Sequence, residues 1–161
     1  MLLTITAPAT SGLIQNATTV SEVIKKPIAD TYVASGRPNK SFHTEGGLWV
    51  GNDEKNGNQV RRSLLKFDLS GIPVGSTITA ATLVLNLGGT TTNDGQRNIK
   101  VSRIIRDTGG DWLANKTEEM TWNRHLQLDQ TDTNSSTISV GTGLTEYQWN
   151  LAAMVKDWLQ D

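Results

Sequence analysis

Four cations fall on stretches of this chain that alternate apolar and polar residues: Lys66 in RRSLLKFDL, and Lys100, Arg103 and Arg106 in NIKVSRIIR. Ammonium and guanidinium groups lined up on neighbouring strands hold anionic oxygens by charge-assisted hydrogen bonds, which is the chemistry of gripping a polyanion. Tyr32, in ADTYV, and Trp112, in polar surroundings, add aromatic faces of the kind that stack on pyranose rings. The commoner occupant of such strand positions is a solvated charged face paired with nearby acids. Asp30 has hard-cation chemistry, weighed against the plain role of capping a turn. No D-x-D-x-D-G pattern accompanies it, so no cofactor is expected, and a structural calcium ion at Asp30 is the one metal the sequence admits.

No residues have the spacing of a catalytic machine. His43 and His125 are the two histidines, each in a loop-like segment without a nucleophile or metal-ligand partner at a meaningful spacing. Neither G-x-S-x-G nor H-E-x-x-H occurs. The chain is therefore expected not to be an enzyme. With 15 Lys+Arg against 16 Asp+Glu the net charge is −1, so no global field draws nucleic acid or an anionic membrane, and neither is expected as a partner. The absence of cysteine excludes disulfides and thiolate metal sites, leaving packing and sheet ladders to hold the fold.

The elements that must position these groups are strands. Residues 61–69 and 77–87 flank a Gly71/Pro73/Gly75 connection and read as a central hairpin. Leu65, Phe67 and Leu69 share one face of the first run, and Leu83, Leu85 and Leu87 one face of the second. Leu65, Phe67, Leu83 and Leu85 are expected to face inward. Further strands are expected at 29–33, 48–50, 98–106, 137–140 and 146–151, with 35–47 and 107–132 as loop or irregular chain. Met154, Val155, Trp158 and Leu159 then recur at helical spacing, which suggests one or two closing turns. Trp49, Trp122, Trp149 and Trp158 are expected to pack and Trp112 to be the exposed one. The fold class is all-β, an antiparallel β-sandwich with a short C-terminal helical turn.

At residues 62–85, RSLLKFDLSGIPVGSTITAATLVL, the sequence resembles the DNRLRE-type domain related to the disaggregatase repeat, with its R-x-L-L-K-F-D-L segment, I-P-x-G and A-x-L-x-L strand. ADTYV at 29–33, LWVGN at 48–52, MTWN at 120–123 and a closing Trp158 match in order, so the resemblance spans about residues 28–159. It implies a sandwich of jelly-roll type, a non-catalytic module of secreted or surface proteins, some members of which bind acidic polysaccharides such as alginate. Fold transfers from such a resemblance more safely than function.

Residues 1–28 differ in character from the rest and are expected to form an N-terminal arm on a sandwich domain of residues 29–161. Leu2, Leu3, Ile5, Leu13 and Ile14 are too apolar for a solvated tail and are read as the partner-binding arm; addition of an edge strand to the domain itself is the alternative. Thr4, Thr6, Pro8 and Thr10 interrupt the apolar run that an export signal needs. Two functions follow. The first is a structural virion protein, a bacteriophage capsid decoration or cement protein binding the major capsid protein and copies of itself, as a trimer. The alternative is an extracellular carbohydrate-binding module for an acidic polysaccharide such as alginate, using Tyr32, Lys66, Lys100, Arg103 and Trp112.

Overall fold

The computed structural model describes residues 1–9, 19–53, 57, 59–73, 76–90, 95–107 and 120–160. The class is the expected one: antiparallel sheets with a short C-terminal helix, an all-β fold of sandwich type. The chain divides into two compact units, one of Met1–Pro27, Phe67–Ser102 and Thr133–Asp161, the other of Ile28–Lys66 and Arg103–Asp132.

The first unit is built on a four-stranded sheet in the order β2 (Thr19–Lys25), β1 (Leu2–Ala9), β6 (Ala80–Asn86), β9 (Glu146–Asn150). Register places Leu3 opposite Leu83 and Leu83 opposite Trp149, so one cross-strand row carries three buried side chains. Ile5 opposite Ala81 forms the next row on the same face. The Trp149 indole N–H donates to the Ile99 carbonyl at 3.0 Å, which satisfies the one polar atom of a buried ring. After β9 the Asn150 carboxamide oxygen accepts from Ala152 N–H at 3.0 Å, which satisfies one N–H that the first turn of α2 (Ala152–Trp158) leaves open. Helical spacing buries Met154 and Val155, as expected, while Trp158 is half-buried.

Two expectations fail here. The amino-terminal segment is no free arm, since β1 is an interior strand of its own chain's sheet, with Leu3 and Ile5 each 1% exposed. Leu2 is half-buried opposite Val84, and Leu13 and Ile14 lie outside the described residues. Residues 61–69 and 77–87 do not form a hairpin either, because β1 and β9 occupy both sides of β6. The connection after Lys66 runs through turns closed by Ile72 N–H to Leu69 C=O and Ser76 N–H to Pro73 C=O, longer than the two to five or so residues of a hairpin loop.

The second unit carries a three-stranded sheet in the order β3 (Ala29–Ala34), β5 (Gln59–Lys66), β4 (Gly51–Asp53). The expected strand at 48–50 is displaced to β4. Thr31, Tyr32, Val33 and Ala34 are all buried, so β3 is covered on both faces and its alternation separates two small cores. Val33 packs with Leu64 and Met120, flanked by Ala29, Ile104, Trp122 and Leu128. Tyr32 and Ala34 pack with Phe42. In β5 the buried leucine is therefore Leu64, with Leu65 only half-buried, the reverse of the expected phase. Phe67 is buried as expected, but it lies beyond the end of β5, where strand alternation no longer applies. In β6 Leu83 is buried and Leu85 half-buried. The two remaining strands, β7 (Arg97–Asp107) and β8 (Leu128–Val140), pair with each other, and β8 begins well before the strand expected at 137–140.

Candidate functional site

Alternation along β5 sends two adjacent arginines to opposite faces of the second unit's sheet. Arg61 sits opposite Ala34 and Arg62 opposite Val33, so Arg61 joins the Tyr32 side and Arg62 the Val33 side. On the Tyr32 side the chain after β3 makes tight turns, with Arg37 N–H donating to Ala34 C=O, Lys40 N–H to Arg37 C=O and Glu45 N–H to Phe42 C=O. These turns fold Phe42 back onto Tyr32, the two rings stacked with centroids 4.3 Å apart and planes 23° from parallel. The result is a recess of about 260 Å³ lined by Tyr32, Ala34, Arg37, Lys40, Phe42, Glu45, Gln59 and Arg61.

The recess has an apolar floor and a charged wall. Tyr32 and Phe42 are 6% and 5% exposed, so they support the site rather than offer free faces for stacking. The Tyr32 hydroxyl donates to Glu45 Oε2 at 2.8 Å, and Lys40 Nζ donates to Glu45 Oε1 at 3.3 Å while lying 4.5 Å from the Phe42 ring centre. Burial, then the hydrogen bond and charge of Glu45, push the Tyr32 hydroxyl up to about 12, so it keeps its proton and stays a donor. The same bond holds the Glu45 carboxyl below the usual range, assisted by Lys40 and Arg37, and it is ionised at neutral pH. Gly36 stands so close to the Gln59 side chain that a methyl group there would displace its amide. Three cations, Arg37, Lys40 and Arg61, thus face one carboxylate.

Beside the recess stands Trp49. It is 46% exposed, not packed as expected, and the Arg61 guanidinium lies 5.1 Å from its ring centre. Its carbonyl accepts from Ser63 Oγ at 2.8 Å, which ties the strand-like chain before β4 to β5. Arg61 therefore links an exposed indole to the charged recess.

Among the described residues expected to bind a glycan, Tyr32 alone lines this recess. Lys66 pairs with Ala29 on the face of Val33 and Leu64, the opposite side of the sheet from Tyr32. Lys100 belongs to the first unit and Arg103 to the second, both on β7, which pairs with β8 and not with β5. Arg106 is held by Asp129, its Nε donating to Oδ2 at 2.6 Å. The expected row of cations is thus not one row, because the strands that carry it are not neighbours. Trp112 lies outside the described residues. Asp30 is exposed at the start of β3, and among the described residues no three His, Cys, Asp or Glu side chains gather as a metal site. The signal that sequence reading passed over was the density of Arg37, Lys40, Phe42 and Glu45 in one loop.

The Val33 side of the sheet carries a structural histidine. Thr121 caps α1 (Trp122–His125), its Oγ1 accepting from Arg124 N–H at 3.2 Å, and one turn later His125 is buried. His125 Nδ1–H donates to the Trp122 carbonyl at 2.6 Å and Nε2 accepts from Arg62 at 3.2 Å, while Arg62 also lies 5.5 Å from the Trp122 ring centre. Both ring nitrogens are used by a neutral imidazole, so His125 holds α1 against β5, and its partners are a carbonyl and a guanidinium rather than a nucleophile or a metal ligand. Next to it Asn123 ties α1 to the recess loop, its N–H donating to Pro38 C=O at 3.1 Å and its amide to Asn39 at 2.8 Å.

Burial lowers the His125 pKa, the bond to the Trp122 carbonyl opposes this, and the Arg62 charge lowers it further. The folded value therefore lies below that of the unfolded chain, about 6.5. The unfolded chain takes up the proton first as pH falls, so stability is full above about pH 6.5 and is lost progressively below it. The denaturation midpoint is expected to fall from pH 7.5 to pH 5, and His125→Asn to give a lower midpoint at pH 7.5 with a shallower pH slope. Equal slopes in the two proteins would assign the acid sensitivity elsewhere.

Among the described residues that line the recess, no nucleophile is paired with a base. The nearest thing to a nucleophile and base, Ser41 Oγ 3.1 Å from His43 Nδ1, is a contact between exposed loop residues two apart, and neither lines the recess.

Neither a curated protein nor a solved structure matches the chain. The family model of carbohydrate-binding module family 96 matches residues 21–161, which includes every residue of the recess together with Trp49, Arg62 and His125. A charged recess beside an exposed indole is the kind of site that a sugar-binding module presents, and this chain belongs to carbohydrate-binding module family 96.

Proposed function

We propose that the protein binds an acidic polysaccharide of the alginate type through the Tyr32 to Arg61 recess and Trp49. The observation that carries this reading is the coupling of Arg61 to both features. One guanidinium lines a recess with two further cations and at the same time lies over a half-exposed tryptophan. A uronate offers matching chemistry, since its carboxylate accepts two parallel N–H bonds from a guanidinium and its ring presents C–H faces to an indole. The finer resemblance to DNRLRE-type domains and an extracellular setting belong to this proposal.

The virion reading loses its footing. It rested on residues 1–28 as a docking arm, and β1 is instead paired with β6 and β2 of its own chain. Family membership points to sugar binding and brings no capsid partner with it.

In an alginate-containing native gel the protein is expected to be retarded relative to a gel without polysaccharide, with titration changing its tryptophan fluorescence. Arg61→Ala should weaken binding by about tenfold or more, since it removes a charge-assisted contact and the partner of Trp49. Trp49→Ala should weaken it as well and remove most of the fluorescence response. Retardation unchanged in both variants would move the site away from this recess.

A further inference from the structure

Within the proposed glycan site Glu45 is out of place. A carboxylate in a recess meant for an anion repels it, and an Arg or Gln at the same position would add donors instead. The Glu45 side chain remains 41% exposed, with Oε1 toward Lys40 and Oε2 toward Tyr32. An ionised carboxylate has room for about four hydrogen bonds, and among the described residues this one accepts two. Tyr32 is held beside it, because its ring is buried and stacked on Phe42. The carboxylate is therefore held at a fixed place in the recess wall with accepting capacity still directed at solvent.

Sugars carry the donors that suit such a group. Two hydroxyls on adjacent ring carbons present two O–H bonds about as far apart as the two oxygens of a carboxylate, and neutral donors bound to an ionised acceptor form strong hydrogen bonds. Arg37 and Arg61 supply the opposite chemistry from the same recess.

We propose that Glu45 is a glycan-contacting residue that accepts from a vicinal hydroxyl pair while Arg37 and Arg61 take the carboxylate, so that the recess selects uronosyl residues whose neighbouring hydroxyls are free. This rests on the glycan reading above and narrows it. Esterification of those hydroxyls removes the donors and sets a bulky group against the carboxylate. A polyanion without a vicinal diol engages only the arginines.

The test measures binding of polymannuronate and of the same polymer O-acetylated at its ring hydroxyls, by calorimetry, to the wild-type protein, Glu45→Gln, Tyr32→Phe and the double variant. The wild type is expected to bind the free polymer and to lose roughly tenfold or more in affinity on acetylation. Glu45→Gln should lose about as much toward the free polymer and distinguish the two polymers little. The Glu45→Gln loss should persist in the Tyr32→Phe background, where the aromatic stack is kept and the tyrosine hydroxyl that holds the carboxylate is gone. If the loss disappears in that background, Glu45 acts only through Tyr32 and the proposal is overturned. A wild type that binds both polymers equally, with Glu45→Gln unchanged, overturns it too and leaves the glycan reading standing. Binding to neither polymer removes both.

Discussion

Deleting residues 1–26 is expected to unfold the first unit, not to release a soluble domain from a partner. The reason is position. β1 lies between β2 and β6, and its removal strips β6 of one complete hydrogen-bonded ladder, from Leu2 opposite Val84 to Thr6 opposite Ala80. It also removes Leu3 and Ile5 from the core, each 1% exposed, for about 3–6 kcal/mol of burial between them at about 1.5–3 kcal/mol per side chain. Uncovering Leu83 and Ala81, which face them across the ladder, adds to the loss. Set against a whole-domain stability of about 5–15 kcal/mol, that is enough to abolish cooperative folding. Circular dichroism and thermal melting of the 27–161 fragment would decide the matter. A soluble fragment that melts cooperatively near the full-length temperature would show that the sheet stands without β1, which lies ahead of the residues that the family model matches.

The second large effect is a contrast between neighbours. Leu64→Ala should destabilise by about 2–5 kcal/mol, because Leu64 is 7% exposed and packs on Val33 and Met120, which cannot close the space it leaves. Leu65→Ala should cost less than about 2 kcal/mol, since its half-buried side chain leaves no closed cavity. Urea denaturation of the two variants, read as the shift in midpoint at constant slope, measures both values. Equal losses would mean that β5 packs on both faces to the same degree and that the assignment of its core face is wrong.

This contrast shows what kind of information a strand sequence carries. In Ser63-Leu64-Leu65-Lys66 two adjacent leucines give alternation without a phase, and either could be the inward one. The phase is set from outside, by Val33 on β3 and by Met120, which lies more than fifty residues further along the chain. Where leucines recur at every second position beside a polar residue, as at Leu83 next to Thr82, or where apolar residues recur at helical spacing, as at Met154 and Val155, the buried residue is readable.

The candidate site divides in the same way. Its ingredients were in the sequence: a tyrosine on a strand, arginines on the next strand, and a loop dense in charge. Their grouping was not. Alternation places cations on strands but does not say which strands are neighbours; pairing decides that, and β5 pairs with β3 and β4 while β7 pairs with β8. Arg61 and Arg62 look interchangeable in sequence, and one residue of register sends the first to the recess and the second to His125. Trp49 could not be told from a packing tryptophan, because an indole suits both a core and a stacking platform. The sequence by itself determined an all-β chain, most of its strands, the C-terminal helix and the lack of catalytic spacing, since those depend on local periodicity and residue type. The tertiary structure alone decided that β1 completes the sheet of β6, that Leu64 and not Leu65 is core, and that Tyr32, Glu45 and Arg61 meet, because each depends on contacts between segments far apart in the chain.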